Sequence, residues 1–140
     1  MTADAQEHPI TTVIRRSIER LEDERRWTTH VMARDRYGRS TDPESGFACR
    51  WCAYGAIVKE SCVVVGSMDR QRNDASGLIN AVMEHFKGLL PPTGFSTVND
   101  LRGREAVLAI LRQGLEMTPA PFVIPEREWD TSPYDSPSSF

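Results

Sequence analysis

The sequence predicts a mainly α-helical domain of about four helices around one core, with a short β-hairpin and an irregular, proline-rich C-terminal tail. Three observations carry this expectation. Apolar residues recur at spacings of three and four in separate long stretches, alternation with a period of two is confined to about residues 29–34, and proline and serine crowd residues 118–140. At 140 residues the chain has the size of one domain that buries enough surface to fold without disulfides or metal. The expected organisation is a flexible N-terminus at 1–8, a single helical domain at 9–117 and a Pro/Ser-rich acidic tail at 118–140.

Pro9 suits the first position of a helix, where its missing N–H costs nothing. Ile10, Val13, Ile14, Ile18 and Leu21 then fall on one stripe, so a first helix is expected to about Arg26, with Trp27 as an apolar anchor. Thr29, Val31 and Ala33 alternate with His30, Met32 and Arg34, the period of a strand. Asp35-Arg36-Tyr37-Gly38 reads as the hairpin turn, with glycine at the left-handed position, and Asp42-Pro43-Glu44-Ser45-Gly46 as a loop.

A second helix is expected from near Phe47, stacking Ala48, Cys52 and Ala56 on one side. Gly55 inside it costs about 1 kcal/mol relative to alanine, which a closely packed helix or backbone neighbour would offset. Cys62 to Val65 reads either as the end of that helix or as a brief strand, closed by Gly66. Asp74 or Ser76 is expected to cap a third helix with Leu78, Ile79, Val82, Met83 and Phe86 on its apolar face, stopped by Pro91-Pro92-Thr93-Gly94. Residues 95–100 read as extended, with a turn at Asn99-Asp100. A fourth helix follows, burying Val107, Leu108, Leu111 and Leu115, to about Met117.

Net charge is −3, and the tail carries Glu126, Glu128, Asp130 and Asp135 against Arg127, so the rest of the chain is close to neutral. Bulk charge therefore argues against wholesale nucleic-acid binding. Basic residues do cluster locally: Arg25, Arg26, Arg34, Arg36 and Arg39 face only Asp35 within that stretch. Nothing resembles an apolar run long enough for a bilayer, and the start lacks a basic region followed by an apolar one, so no membrane association and a cytoplasmic location are expected. Three cysteines in such a chain are expected to stay reduced.

The densest chemistry lies in Cys49-Arg50-Trp51-Cys52-Ala53-Tyr54-Gly55-Ala56. A redox reading places Cys49 at a helix start with Cys52 as the resolving thiol, but the usual βαβ setting is missing. A metal reading uses Cys49 and Cys52 as half of a zinc site, completed by Cys62 with His30 or His85. No second close pair is seen, and a continuous helix would put Cys62 about 15 Å from Cys52. A nucleophile reading pairs Cys52 or Cys49 with His30 or His85 and an orienting Asn99 or Asp100. In the structural reading Trp51 and Cys52 are core, and Gly55 and Ala56 let neighbouring backbone approach.

The weight of these readings falls on the structural one, so no cofactor and no metal are expected. The tail cannot build a core, yet Phe122, Val123, Ile124, Trp129, Tyr134 and Phe140 are too apolar for a pure spacer. The leading expectation is a non-enzymatic accessory protein that binds another protein or a second copy of itself. It would do so through Arg34, Arg36 and Arg39 of the hairpin with Phe122, Trp129 and Tyr134 of the tail. The alternative is a cysteine-dependent enzyme using Cys52, Cys49, His85 and Asn99. A small zinc-binding or nucleic-acid-binding module comes third.

Trp27, Ala33-Arg34-Asp35 with Gly38-Arg39, Trp51-Cys52-Ala53-Tyr54-Gly55-Ala56 and Val98-Asn99-Asp100 together resemble a family of small uncharacterised proteins of bacteria and their phages, a domain of unknown function. The resemblance covers about residues 10–117. Tyr54 stands where the family commonly has leucine, and Val98 where tryptophan often precedes Asn-Asp. It implies a shared fold and a bacterial or phage-infected cell as the setting, and it carries no activity.

Overall fold

A computed structural model describes residues 7–67 and 69–124. The architecture is mainly α, with a two-stranded antiparallel sheet of two residues per strand. Helix α1 spans Pro9–Leu21, strands β1 and β2 Ala33–Arg34 and Arg50–Trp51, α2 Ala53–Val65, α3 Asn73–His85, the single turn α4 Phe95–Thr97, and α5 Arg104–Leu115. The expected tail residues Trp129 and Tyr134 lie outside the described residues, as does most of the N-terminal segment 1–8.

Helix α1 begins as its sequence dictates, with Pro9 in the first turn and the His8 Nδ1 accepting the Ile10 N–H at 3.1 Å. Ile10, Val13, Ile14, Ile18 and Leu21 are all buried, each gaining about 1.5–3 kcal/mol from leaving water. The helix stops at Leu21 rather than near Arg26. Asp23 accepts the Arg25 N–H and starts a separate 3₁₀ turn over Glu24–Arg26, which turns Trp27 back toward the core.

Helix α2 starts at Ala53, six residues later than its spacing suggested. The reason is that the preceding backbone is already engaged. The Cys49 N–H donates to the Arg34 carbonyl at 2.9 Å and the Cys52 N–H to the Met32 carbonyl at 3.0 Å. Residues 50–51 therefore form β2, pairing Ala33 with Trp51 and Arg34 with Arg50. The turn at 35–38 forms as expected, with Gly38 at φ 81° and an Arg34–Ser40 bridge, but the regular partner of β1 is the later strand.

Most of α2 is buried, as suits a helix apolar on nearly all sides. Its end is closed by Gly66 at φ 73°, whose N–H donates to the Val63 carbonyl while Ser67 N–H donates to that of Cys62. That pair of bonds is a Schellman closure, so Cys62 to Val65 belong to the helix. Helix α1 packs against α2, α5 and α3. Leu78, Ile79, Val82 and Phe86 fill the third side, and Val107, Leu108 and Leu111 the fourth.

Residues 95–100, expected to be extended, form α4 and run into a single π turn over Val98–Arg102, broken by Gly103 at φ 94°. Phe95 packs edge-on to Phe86 at 5.1 Å between ring centroids. Every buried apolar side chain of the described residues lies between Ile10 and Leu111, with Phe122 and Ile124 packed half-buried on the rim.

Candidate functional site

The π turn is explained by what it holds. Asn99 is 0% exposed, and its amide is used four ways. Oδ1 accepts the Trp27 indole N–H at 2.8 Å and the Ala53 N–H at 3.0 Å, while Nδ2 donates to the Thr28 carbonyl and the Asp100 carboxylate, each at 3.0 Å. One side chain thus ties the 27–28 segment to the first residue of α2. Asp100 continues the link by accepting the His30 N–H at 3.0 Å. His30 sits at φ 70°, a left-handed backbone that a non-glycine residue adopts at a cost of about 1–2 kcal/mol. Its imidazole lies 3.5 Å from the same carboxylate. Burial works to raise the Asp100 pKa, but the Asn99 and His30 hydrogen bonds and the His30 charge together hold it below the usual aspartate value.

Cys52 is the N-cap of α2, its Sγ accepting the Gly55 N–H at 3.3 Å. Burial raises its thiol pKa more than the Gly55 and Tyr54 N–H groups lower it. Burial also pushes the Cys62 thiol up to about 11, with the Glu44 charge adding to it. Both sulfurs are buried and protonated at neutral pH, the opposite of an activated nucleophile. Cys49 is half-exposed and lies four residues before α2 begins, not at the helix start that the redox reading required. His85 is committed elsewhere: its Nε2 lies 2.8 Å from the Gly114 carbonyl, and its ring meets Phe86 edge-on. The structure therefore brings Asn99 next to the helix that Cys52 caps but does not bring His85 to either. No group of three metal-ligating side chains converges among the described residues.

Gly55 and Glu60 are positions where sequence reasoning pointed to packing or passed over the residue. A Cβ on Gly55 would stand 2.0 Å from the Met32 carbonyl oxygen, so the close backbone neighbour expected there is the strand leading into β1. Glu60 is 1% exposed and holds the Arg16 Nε at 2.8 Å and the Arg20 Nε at 2.6 Å. Arg20 also lies 4.2 Å over the Trp51 ring. A lone glutamate in an apolar helix was the available signal, because a buried carboxylate needs paired cations.

The hairpin arginines divide. Arg34 turns inward, donating to the Thr28 hydroxyl at 2.8 Å and to the Gly38 and Thr29 carbonyls at 2.9 and 3.1 Å. Arg36 stacks on Tyr37 at 4.8 Å, and Arg39 pairs with Asp35 at 3.1 Å while also approaching the Tyr37 ring. Asp35 accepts the Tyr37 and Arg39 N–H groups and so fixes the turn. Beside this turn lies an open groove of about 890 Å³, with residues 35–37 and 39–41 on one wall and residues 46–49 on the other. Tyr37 is 66% and Phe47 80% exposed, and both aromatic side chains line the groove with Arg36 and Arg39. Cys49 lines the groove, as does Phe47, which the sequence reading missed. The far wall is tied to the hairpin by the Cys49 N–H donating to the Arg34 carbonyl at 2.9 Å.

These features define a mainly helical domain whose motif residues converge on one buried asparagine lock and whose exposed aromatics frame a groove. The chain belongs to a family of unknown function, DUF6197, whose model matches residues 5–116. Trp27, Trp51 to Ala56 and Asn99-Asp100 all fall in that span, and the tail falls outside it. No curated protein and no solved structure is matched by this chain. No helix among the described residues is long and apolar enough to cross a membrane.

Proposed function

We propose that this protein is a non-enzymatic accessory protein that acts by binding a protein segment, in the cytoplasm of a bacterial cell or of one infected by phage. The observation that carries the proposal is the hairpin groove, where Tyr37 and Phe47 stand exposed beside Arg36 and Arg39 on walls held by internal hydrogen bonds. Walls tied together before binding reduce its ordering cost, and exposed aromatics with arginine are the side chains that dominate protein recognition. The chemistry fits an extended peptide bearing carboxylates and an aromatic ring. A nucleic acid suits the groove less well, because Asp35 already neutralises Arg39 and no track of cations follows.

The groups that a cysteine enzyme would use support the same reading. Cys52 caps a helix with a raised thiol pKa, and Asn99 has no free donor or acceptor. Three unpaired thiols suit a reducing compartment.

Selection of displayed random peptides on the full chain tests the proposal. The recovered peptides should combine Glu or Asp with an aromatic residue, and should bind Arg36→Glu and Phe47→Ser at least tenfold more weakly, a loss of about 1.4 kcal/mol. Both side chains are exposed, so folding should be retained. Peptides without that bias, or peptides indifferent to both substitutions, overturn the proposal.

A further inference from the structure

Resting on the groove reading, we infer that the partner binds as an added β-strand: an extended acidic segment of another protein pairs its backbone with Ser40 on the open edge of the hairpin. The hydrogen bonds of the hairpin define that edge. The Asp35 N–H donates to the Arg39 carbonyl at 2.9 Å and the Thr41 N–H to the Ala33 carbonyl at 3.0 Å, on either side of the Arg34–Ser40 bridge. In an antiparallel pair, the two residues between such bonds turn their own N–H and C=O away from each other's strand. Arg34 obeys this rule, its carbonyl accepting the Cys49 N–H at 2.9 Å on the β2 side. Strand β1 is therefore paired along both edges. Ser40 turns its N–H and C=O outward, and neither has a partner among the described residues.

A backbone donor and acceptor presented side by side select extended main chain, the demand that strand addition meets. Ser40 and Thr41 line the same groove as Arg36, Tyr37 and Phe47, so main-chain pairing at Ser40 and side-chain contacts in the groove fall to one ligand. Charge narrows its chemistry. Arg39 is neutralised by Asp35 at 3.1 Å, whereas Arg36 is engaged with Tyr37 and has no carboxylate partner among the described residues. A carboxylate on the added strand answers Arg36. A second copy of this chain supplies the backbone but not these side chains. Antiparallel pairing about Ser40 would set Arg39 against Thr41 and Gly38 against Asp42, with no ring for Phe47 in that stretch.

The outward Ser40 amide supplies the readout. Its exchange with solvent is followed by NMR in the native full chain, alone and saturated with a synthetic copy of a peptide recovered by display. Strand addition predicts rapid exchange alone and at least tenfold slower exchange in the complex. Binding is then compared for Ser40→Ala, which keeps the backbone donor, and Ser40→Pro, which removes it. Proline is tolerated on an edge strand where the N–H faces solvent, so both variants should retain the native helical signal by circular dichroism. Ser40→Ala should bind within about twofold of the native chain, and Ser40→Pro at least tenfold more weakly.

An exchange rate at Ser40 that saturating peptide leaves unchanged overturns the inference, whether or not Ser40→Pro folds. Equal affinity of the native chain and a folded Ser40→Pro overturns it as well. In either case, a peptide that still weakens with Arg36→Glu and Phe47→Ser leaves the groove reading standing, with docking by side chains alone. A selection that recovers no such peptide removes both. Protection of Ser40 that grows with the concentration of the protein alone assigns the edge to a second copy and overturns the inference.

Discussion

Asn99 ties distant parts of the fold together, because it saturates an amide with four partners, one of them 72 residues upstream. Asn99→Asp is the informative substitution. It keeps the acceptor for Trp27 and Ala53, removes both donor bonds, and sets a second carboxylate against Asp100. Leaving buried partners unsatisfied costs about 1–3 kcal/mol each, so a loss of about 3 kcal/mol and a fall in Tm on the order of 10 °C are expected. A calorimetric Tm within about 2 °C of the native value would refute the lock. Asp100 adds a pH signature. Its folded pKa is held below the unfolded value, so its contribution is present above about pH 3.9 and is lost as pH falls through the lowered value. Asp100→Asn should flatten acid unfolding in that window; an unchanged slope would assign acid lability to other carboxylates. Asn99-Asp100 reads locally as a turn, and its partners at 27, 28, 30 and 53 come together only through tertiary structure. Arg34 is similar: five donors on a hairpin look outward in sequence, and only the folded 28–38 loop shows that two carbonyls and the Thr28 hydroxyl take up three of them.

The elements divide by the range of the forces that set them. Helices α1, α3 and α5 follow their own apolar periodicity, so their buried faces are readable directly from residue spacing. Strand β2 and the π turn are set by partners far along the chain. Ala48, Cys52 and Ala56 keep helical spacing although only the last lies inside α2, because the hydrogen bonds of Cys49 and Cys52 to β1 and its flank override local preference. Gly55 was the clearest local clue to that junction. Its neighbour at 2.0 Å is backbone and cannot swing aside. Gly55→Ala should therefore lower stability by about 1–3 kcal/mol through forced displacement of α2 from Met32. Gly77, inside α3, has open space around the same added carbon, and Gly77→Ala should instead raise stability by up to about 1 kcal/mol. Urea midpoints of the two variants should move in opposite directions; movement in the same direction would mean that the close approach at Gly55 is not a packing constraint.

Across the whole molecule, the buried apolar residues form one connected cluster that runs through α1, both strands, α2, α3 and α5. Glu60 joins α1 to α2 by two ion pairs, and Arg20 carries that link on to the Trp51 ring of β2. With the sheet, the helices and the asparagine lock sharing partners, no element can leave without exposing surface belonging to another, and unfolding should be all-or-none. The two buried thiols report on this from opposite ends of α2: Cys52 sits at its junction with β2 and the π turn, and Cys62 in its last turn, within the influence of Asp69 and Arg70. Pulsed alkylation across a urea series should leave both unreactive in native buffer and release both at the same midpoint, coincident with loss of helical signal by circular dichroism. Release of Cys62 at lower urea than Cys52 would show instead that the end of α2 opens as an independent unit, with stability concentrated around Asn99 rather than spread through the core.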